Sequence, residues 1–228
     1  MIALIQTSRR AAIAVAALVL LATAASAQAQ LQARDADGDG LADGYYDSTL
    51  AITWLARADA AAGSAQDDGL SPSDGLLTWA AAQAWAAGLV LAGSSGWRLP
   101  STDAACNGNG LGYGCSSSAG ELGHHFHNNL GGQAGQAISG THGSGFDLFS
   151  GVSDAGYWSG TAYASDADQA GVLLFAEGYQ DYALKAFSEH AAWAVHDGDA
   201  LAVPEPTTGA LLLAGLLGLV WRSRRWQG

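Results

Sequence analysis

The chain has 228 residues, 9 basic and 21 acidic, for a formal net charge of −12 at neutral pH. Five basic residues (Arg9, Arg10, Arg222, Arg224, Arg225) and one acidic residue lie in the two end segments, so residues 30–203 hold 4 basic and 20 acidic residues, a net of −16. That balance excludes a nucleic-acid backbone binder, which needs clustered Lys and Arg, and it favours cations as partners.

Residues 1–29 read as a secretory signal peptide. Arg9 and Arg10 supply the basic start, Ala11 to Ala25 is apolar and uncharged, and Ala25-Ser26-Ala27 offers the small-x-small pattern that signal peptidase cuts. Export follows, and with it an oxidising compartment.

Residues 30–47 are dominated by acid. Asp35, Asp37, Asp39, Gly40, Leu41 and Asp43 fit positions 1, 3, 5, 6, 7 and 9 of a calcium loop, with aspartate oxygens, a Leu41 carbonyl and a sharp turn at Gly40. Position 12 is Tyr46 rather than a bidentate Glu, and Asp47 comes one residue late. The pattern resembles thrombospondin-type extracellular calcium loops more than an EF-hand. A solvated acidic N-terminus is the other reading.

Residues 48–202 are expected to form one domain with a core. Ile52-Thr53-Trp54-Leu55 predicts a strand, and residues 58–75, rich in Ala, Gly, Ser and Asp, predict a loop. A helix is expected from an N-cap at Thr78 to about Leu91, with Ala82, Trp85, Ala86 and Leu89 on one face. Gly96-Trp97-Arg98-Leu99-Pro100 must leave helical geometry at Leu99, before the proline. Within it, Arg98 reads as a structural ion pair with one of the many carboxylates, and otherwise as a ligand contact.

Cys106 and Cys115, the two cysteines of the chain, sit in a Gly/Asn/Ser-rich loop and are expected to form a local disulfide. A second helix is expected from about Ser118 to Leu130, burying Leu122, Phe126 and Leu130. Glu121, His124, His125 and Asn128 then fall on its opposite, polar face. His124 and His125 lie three and four residues from Glu121, a spacing that can hold zinc, although catalytic zinc usually takes three protein ligands and an open position. Residues 131–156 predict an irregular segment. Three apolar runs follow, Tyr157 to Ser159, Gly171 to Ala176 and Ala191 to Val195, with Gly178 marking a hairpin turn. The whole is an α+β plan.

Ile52-Thr53-Trp54-Leu55, Leu77-Thr78-Trp79 through Trp85-Ala86, Gly96-Trp97-Arg98-Leu99-Pro100, Glu121-Leu122-Gly123-His124, Tyr157-Trp158-Ser159-Gly160-Thr161 and Ala192-Trp193-Ala194-Val195 occur in an order that resembles the domain family named for the C-terminal region of the Lcl collagen-like adhesin. The resemblance spans residues 45–200. It implies a C-type-lectin-like fold of two helices and a small irregular antiparallel sheet, and a surface-binding role, with glycosaminoglycan recognition in the namesake. The acidic body argues against a polyanionic sugar, and Val195 is followed by His196-Asp197 where the family usually carries an arginine.

Residues 203–228 are the second targeting segment. Val203-Pro204-Glu205-Pro206 precedes an apolar run from Ala210 to Trp221 and then Arg222, Arg224 and Arg225. As a helix, Thr207 to Trp221 is about 22 Å long at 1.5 Å per residue, short of the roughly 30 Å hydrocarbon core, and Arg222 can snorkel to relieve the mismatch. The arginines should stay cytoplasmic, leaving the body outside. The segment resembles the PEP-CTERM sorting signal, which implies processing by an exosortase, transient inner-membrane anchoring, and delivery to the cell surface or matrix.

The function expected from all this is a non-enzymatic surface or matrix protein whose lectin-like domain binds a neutral or cationic extracellular partner, a glycan among the candidates, with calcium as the ion the aspartate loop could take. Two alternatives stand beside it. One is a zinc-dependent hydrolase using Glu121 and His124, the other a purely structural component of a biofilm matrix.

Overall fold

A computed structural model describes residues 31–67, 71 and 73–201. The signal peptide, residues 68–70 and 72, and the sorting segment with its expected membrane helix lie outside the described residues, and within them no helix is long and apolar enough to cross a membrane.

Two sheets share one core. The first has four antiparallel strands in the order β1-β2-β3-β10: Leu31–Arg34, Gly44–Asp47, Ile52–Leu55 and Val195–Asp197. The second has six, in the order β4-β9-β6-β7-β8-β5: Leu76–Leu77, His190–Ala191, Gly156–Ala162, Gln169–Leu174, Tyr179–Leu184 and Gly112–Tyr113. Its pairings are antiparallel except β6 with β9. Helices α1 (Trp79–Gly88) and α2 (Glu121–His124, continued as a π-helical turn, His125–Asn129) complete an α+β architecture.

The strand at Ile52–Leu55, the turn at Gly178 (φ 61°) and the buried Ala82, Trp85 and Ala86 face of α1 agree with the sequence pattern. Thr78 occupies the N-cap position of α1, although its side chain makes no capping bond. The helix stops at Gly88, before the expected Leu91, because Leu91 and Ser94 exchange backbone hydrogen bonds in a tight turn. Residues 31–47, expected to be a loop ahead of the domain, supply β1 and β2. The run Ala191 to Val195 is not one strand. It divides into β9 and β10, and the buried Ala192-Trp193-Ala194 link carries the chain from the second sheet to the first.

That link explains the core. Trp193 donates from Nε1 to the Leu55 carbonyl (2.8 Å), and its ring meets His125, Phe149, Trp54 and Tyr157 at centroid distances of 4.7–5.7 Å. Trp54, Trp97, Trp158 and Trp193 are all fully buried. Such rings each bury 150–250 Å², so a domain built mostly of short strands still gains a substantial apolar interior. Helix α2 lies between the sheets, with Phe126 against Phe175 of the second (5.0 Å) and His125 stacked on Trp54 of the first (3.7 Å).

Candidate functional site

Strands β1 and β2 pair in register from Leu31 with Asp47 to Arg34 with Gly44, which makes residues 35–43 the loop of a hairpin. Asp35 accepts the N–H groups of Gly38 (2.7 Å) and Gly40 (2.9 Å), Asp37 that of Asp39 (3.1 Å), and Asp39 that of Leu41 (2.8 Å). These bonds wind the loop so that Asp35, Asp37 and Asp39 each bring one carboxylate oxygen within 4.8 Å of the others. Gly38 and Gly40 take φ of 80° and 91°, a left-handed geometry suited to glycine. Three of the five expected residues thus converge, offering three carboxylate oxygens where a calcium ion takes six to eight. Asp43 is used otherwise: it accepts the Ala36 N–H (2.8 Å) and closes the loop. Asp47 is buried on the inner face of β2, where it accepts from Asn129 Nδ2 (2.7 Å) and from the N–H groups of Thr49 and Leu50.

Histidines and carboxylate on α2 do not form the polar outer face expected of them. His124 and His125 are buried. The reason is tertiary: α2 lies between the two sheets, so the first sheet covers the side opposite the buried Leu122, Phe126 and Leu130 stripe. Asn129 Nδ2 donates to Asp47 and also meets His125 Nδ1 (3.1 Å). Burial pushes the His125 pKa well below its ordinary value, with the neighbouring His124 charge acting in the same direction. His124 Nδ1 meets Asn128 Nδ2 at 2.8 Å, and its Nε2 lies 3.9 Å from Asp47. Sequence reasoning missed the Asp47–Asn129 pairing; the alternation Tyr45 in, Tyr46 out, Asp47 in along β2 was its one available signal.

Glu121 is committed as well. Both its oxygens are held by the Arg98 guanidinium, Nη1 to Oε2 and Nη2 to Oε1, each at 2.7 Å, and Oε2 also accepts the Ser101 N–H (2.8 Å). Arg98 reaches Asp197 on β10 with Nε at 3.1 Å and Nη2 at 2.5 Å. These bonds, led by the one to Glu121, hold the Arg98 pKa above its ordinary value. Arg98 is therefore the structural ion pair of the two readings. Among the described residues, Asp35, Asp37 and Asp39 are the one group of three or more metal-type side chains brought together; Glu121 and His124 are not.

Cys106 and Cys115 are joined as a disulfide with Cα atoms 5.6 Å apart. Their loop is tied to the second sheet through β5 and through buried Gln180, whose Nε2 donates to the carbonyls of Asp103 (2.8 Å) and Gly110 (2.5 Å).

At its C-terminal end the body is fastened to the first sheet. Thr53 Oγ1 donates to the Gly198 carbonyl (2.7 Å) and accepts the Ala200 N–H (3.1 Å), and Arg34 pairs with Asp199 at 2.6 Å. Leu201 is buried against Gly44. The next residue opens a segment, 202–225, that matches the family model of the PEP-CTERM protein-sorting motif. The chain thus ends on an exosortase sorting signal, the mark of an exported protein held transiently at the membrane before surface display. No curated protein and no solved structure matches the chain.

Proposed function

We propose that this chain is a non-enzymatic surface or matrix protein whose body, displayed after exosortase processing, binds an extracellular ligand of the glycan class. The observation that carries the reading is the sorting motif at residues 202–225, joined to a folded, disulfide-closed body without an intervening linker. The engagement of Glu121 by Arg98 and of His125 by Asn129 and Trp54 supports a structural rather than a catalytic use of that cluster.

The likeness to the Lcl C-terminal family and its C-type-lectin-like fold belongs to this proposal too. Its support is that five of the six tryptophans of the shared segments, Trp54, Trp85, Trp97, Trp158 and Trp193, are buried within one core, with Trp79 partly buried against it. Calcium at Asp35, Asp37 and Asp39 is the proposed ion, supported by the convergence of their oxygens. It would order the hairpin loop and offset repulsion among the carboxylates.

Sorting is tested by replacing Pro204, Glu205 and Pro206 with alanine in the producing cell. The variant should accumulate uncut in the membrane fraction while wild type is processed. Equal processing of both would remove the exosortase step and, with it, the basis for surface display.

A further inference from the structure

On the second sheet lies an open depression of about 220 Å³, lined by none of the aspartate-loop or α2 residues. One wall is the disulfide-closed loop at Gly108 and Asn109, the other is the β6–β7 connection at Tyr163 and Ser165, and Tyr182 of β8 lies between them. Tyr163 and Tyr182 stack with ring centroids 4.0 Å apart and planes 23° from parallel.

The site is built rather than incidental. The Cys106–Cys115 bond and Gln180 fix the loop wall. Asp103 adds to this by accepting from the Ala105 N–H (2.8 Å) and the Ser117 hydroxyl (2.5 Å). Gly110 must be glycine, since a Cβ there would fall 2.0 Å from the Tyr182 hydroxyl. The opposite wall is a turn closed by Tyr163 N–H to the Gln169 carbonyl (2.9 Å) and by Asp166, whose carboxylate binds the Asp168 N–H and Gln169 Nε2. Rigid walls of this kind reduce the ordering cost that binding would otherwise incur.

The lining fixes the ligand class. It contains no Lys, Arg, Asp or Glu, and the nearby carboxylates of Asp103 and Asp166 are engaged with their own loops. What remains is Asn109, Ser165 and the stacked pair Tyr163 and Tyr182, between small alanine and glycine residues. Amides and hydroxyls donate and accept hydrogen bonds to neutral hydroxyl groups, and aromatic carbon covers the C–H face of a ring. The volume lies below the roughly 300–1,000 Å³ of sites that engulf drug-sized molecules, which suits one ring-sized unit held on a surface. We propose that the Tyr163–Tyr182–Asn109 depression is a subsite for a single neutral sugar unit of an extracellular polysaccharide. This rests on the glycan reading above and gives it a location.

The test uses the mature secreted protein on an array of neutral hexose oligosaccharides beside sulfated and uronic-acid ones, with and without calcium. Binding is expected to neutral oligosaccharides, to persist without calcium, and to fall about tenfold or more in Tyr163→Ala and in the isosteric Asn109→Asp, which places a charge in the lining. Phe187→Ala, in a separate apolar depression beside Lys185, should bind as wild type does. Thermal midpoints show whether each variant is folded, and Asn109→Asp retains the packing if Tyr163→Ala does not. Wild-type binding that is unchanged in both folded variants would overturn this subsite and leave the glycan reading standing. No wild-type binding to any neutral glycan would overturn both, and binding confined to the acidic sugars would overturn the neutral class.

Discussion

Arg98→Met isolates the ion pair that joins the Trp97–Pro100 segment to the start of α2. The variant keeps an apolar stem of similar length and removes the guanidinium. Glu121 then loses two charge-assisted hydrogen bonds and retains the Ser101 N–H, while its side chain is only 13% exposed. Removing one partner of a buried pair costs about 3–5 kcal/mol, because the other charge is stranded. Here Arg98 is itself 37% exposed, so solvent screens part of that cost, and fully exposed pairs contribute only about 0–1 kcal/mol. Asp197, 77% exposed, adds little. The expected loss is therefore about 2 kcal/mol, or a fall of about 4–8 °C in thermal midpoint for a domain of this size. Urea and thermal unfolding followed by tryptophan fluorescence would measure it. Adding Glu121→Gln to Arg98→Met should recover part of the loss, since no carboxylate is then left stranded. A single variant within about 0.5 kcal/mol of wild type, or a double variant that is worse than the single, would refute the structural role.

Calcium at ten times its Kd should raise stability by about 1.4 kcal/mol if the loop is coupled to the fold, and Asp37→Ala with Asp39→Ala should remove that gain; thermal scans without response up to several millimolar calcium would dismiss the ion. Mass spectrometry of non-reduced secreted protein should find the Cys106 and Cys115 peptides linked, and Cys106→Ser with Cys115→Ser should cost about 2–3 kcal/mol in the chain-entropy account; two alkylatable thiols would count against the bond. Burial lowers the pKa values of His125, His127 and His190. The unfolded chain therefore takes up protons first, and stability should fall as pH drops below about 6.5, by up to about 1.4 kcal/mol per unit for each such histidine. His125→Phe should flatten that slope in urea titrations between pH 7.5 and 5.5, and an unchanged slope would show that His125 does not titrate as its burial requires.

Sequence patterns made part of this legible, and the limits are physical. The Ile52–Leu55 strand and the apolar face of α1 were readable because their burial repeats with the period of the element. The hairpin of β1 and β2 was not, because Leu31–Arg34 is too short and polar to signal a strand and gains its pairing from β2. Helix α2 misled for another reason. A helical wheel assigns one buried stripe, and Leu122, Phe126 and Leu130 are buried as expected, but α2 lies between two sheets and its other side, with His124 and His125, is covered as well. The Tyr163–Tyr182 stack joins the β6–β7 connection to β8, and no spacing along the chain announces such a pair. Motifs that act in sequence order, such as the cysteine pair and the sorting tail, need no tertiary information and were read directly.

The junction between body and tail carries the last constraint. Residues 198–201 are held by Thr53, by the Gly198 N–H to the Ala51 carbonyl (2.8 Å), by the Arg34–Asp199 pair and by Leu201 against Gly44. Pro204 follows three residues after Leu201. An enzyme acting on the box must therefore approach the first sheet closely or act while residues 198–201 are released. The same end of the hairpin, where Arg34 pairs with Gly44, opens into the aspartate loop. The acidic loop and the fastened residues 198–201 thus share one edge of the body, joined by the Arg34–Asp199 pair. The cation proposed at Asp35, Asp37 and Asp39 would lower the negative potential on this edge, beside Asp199.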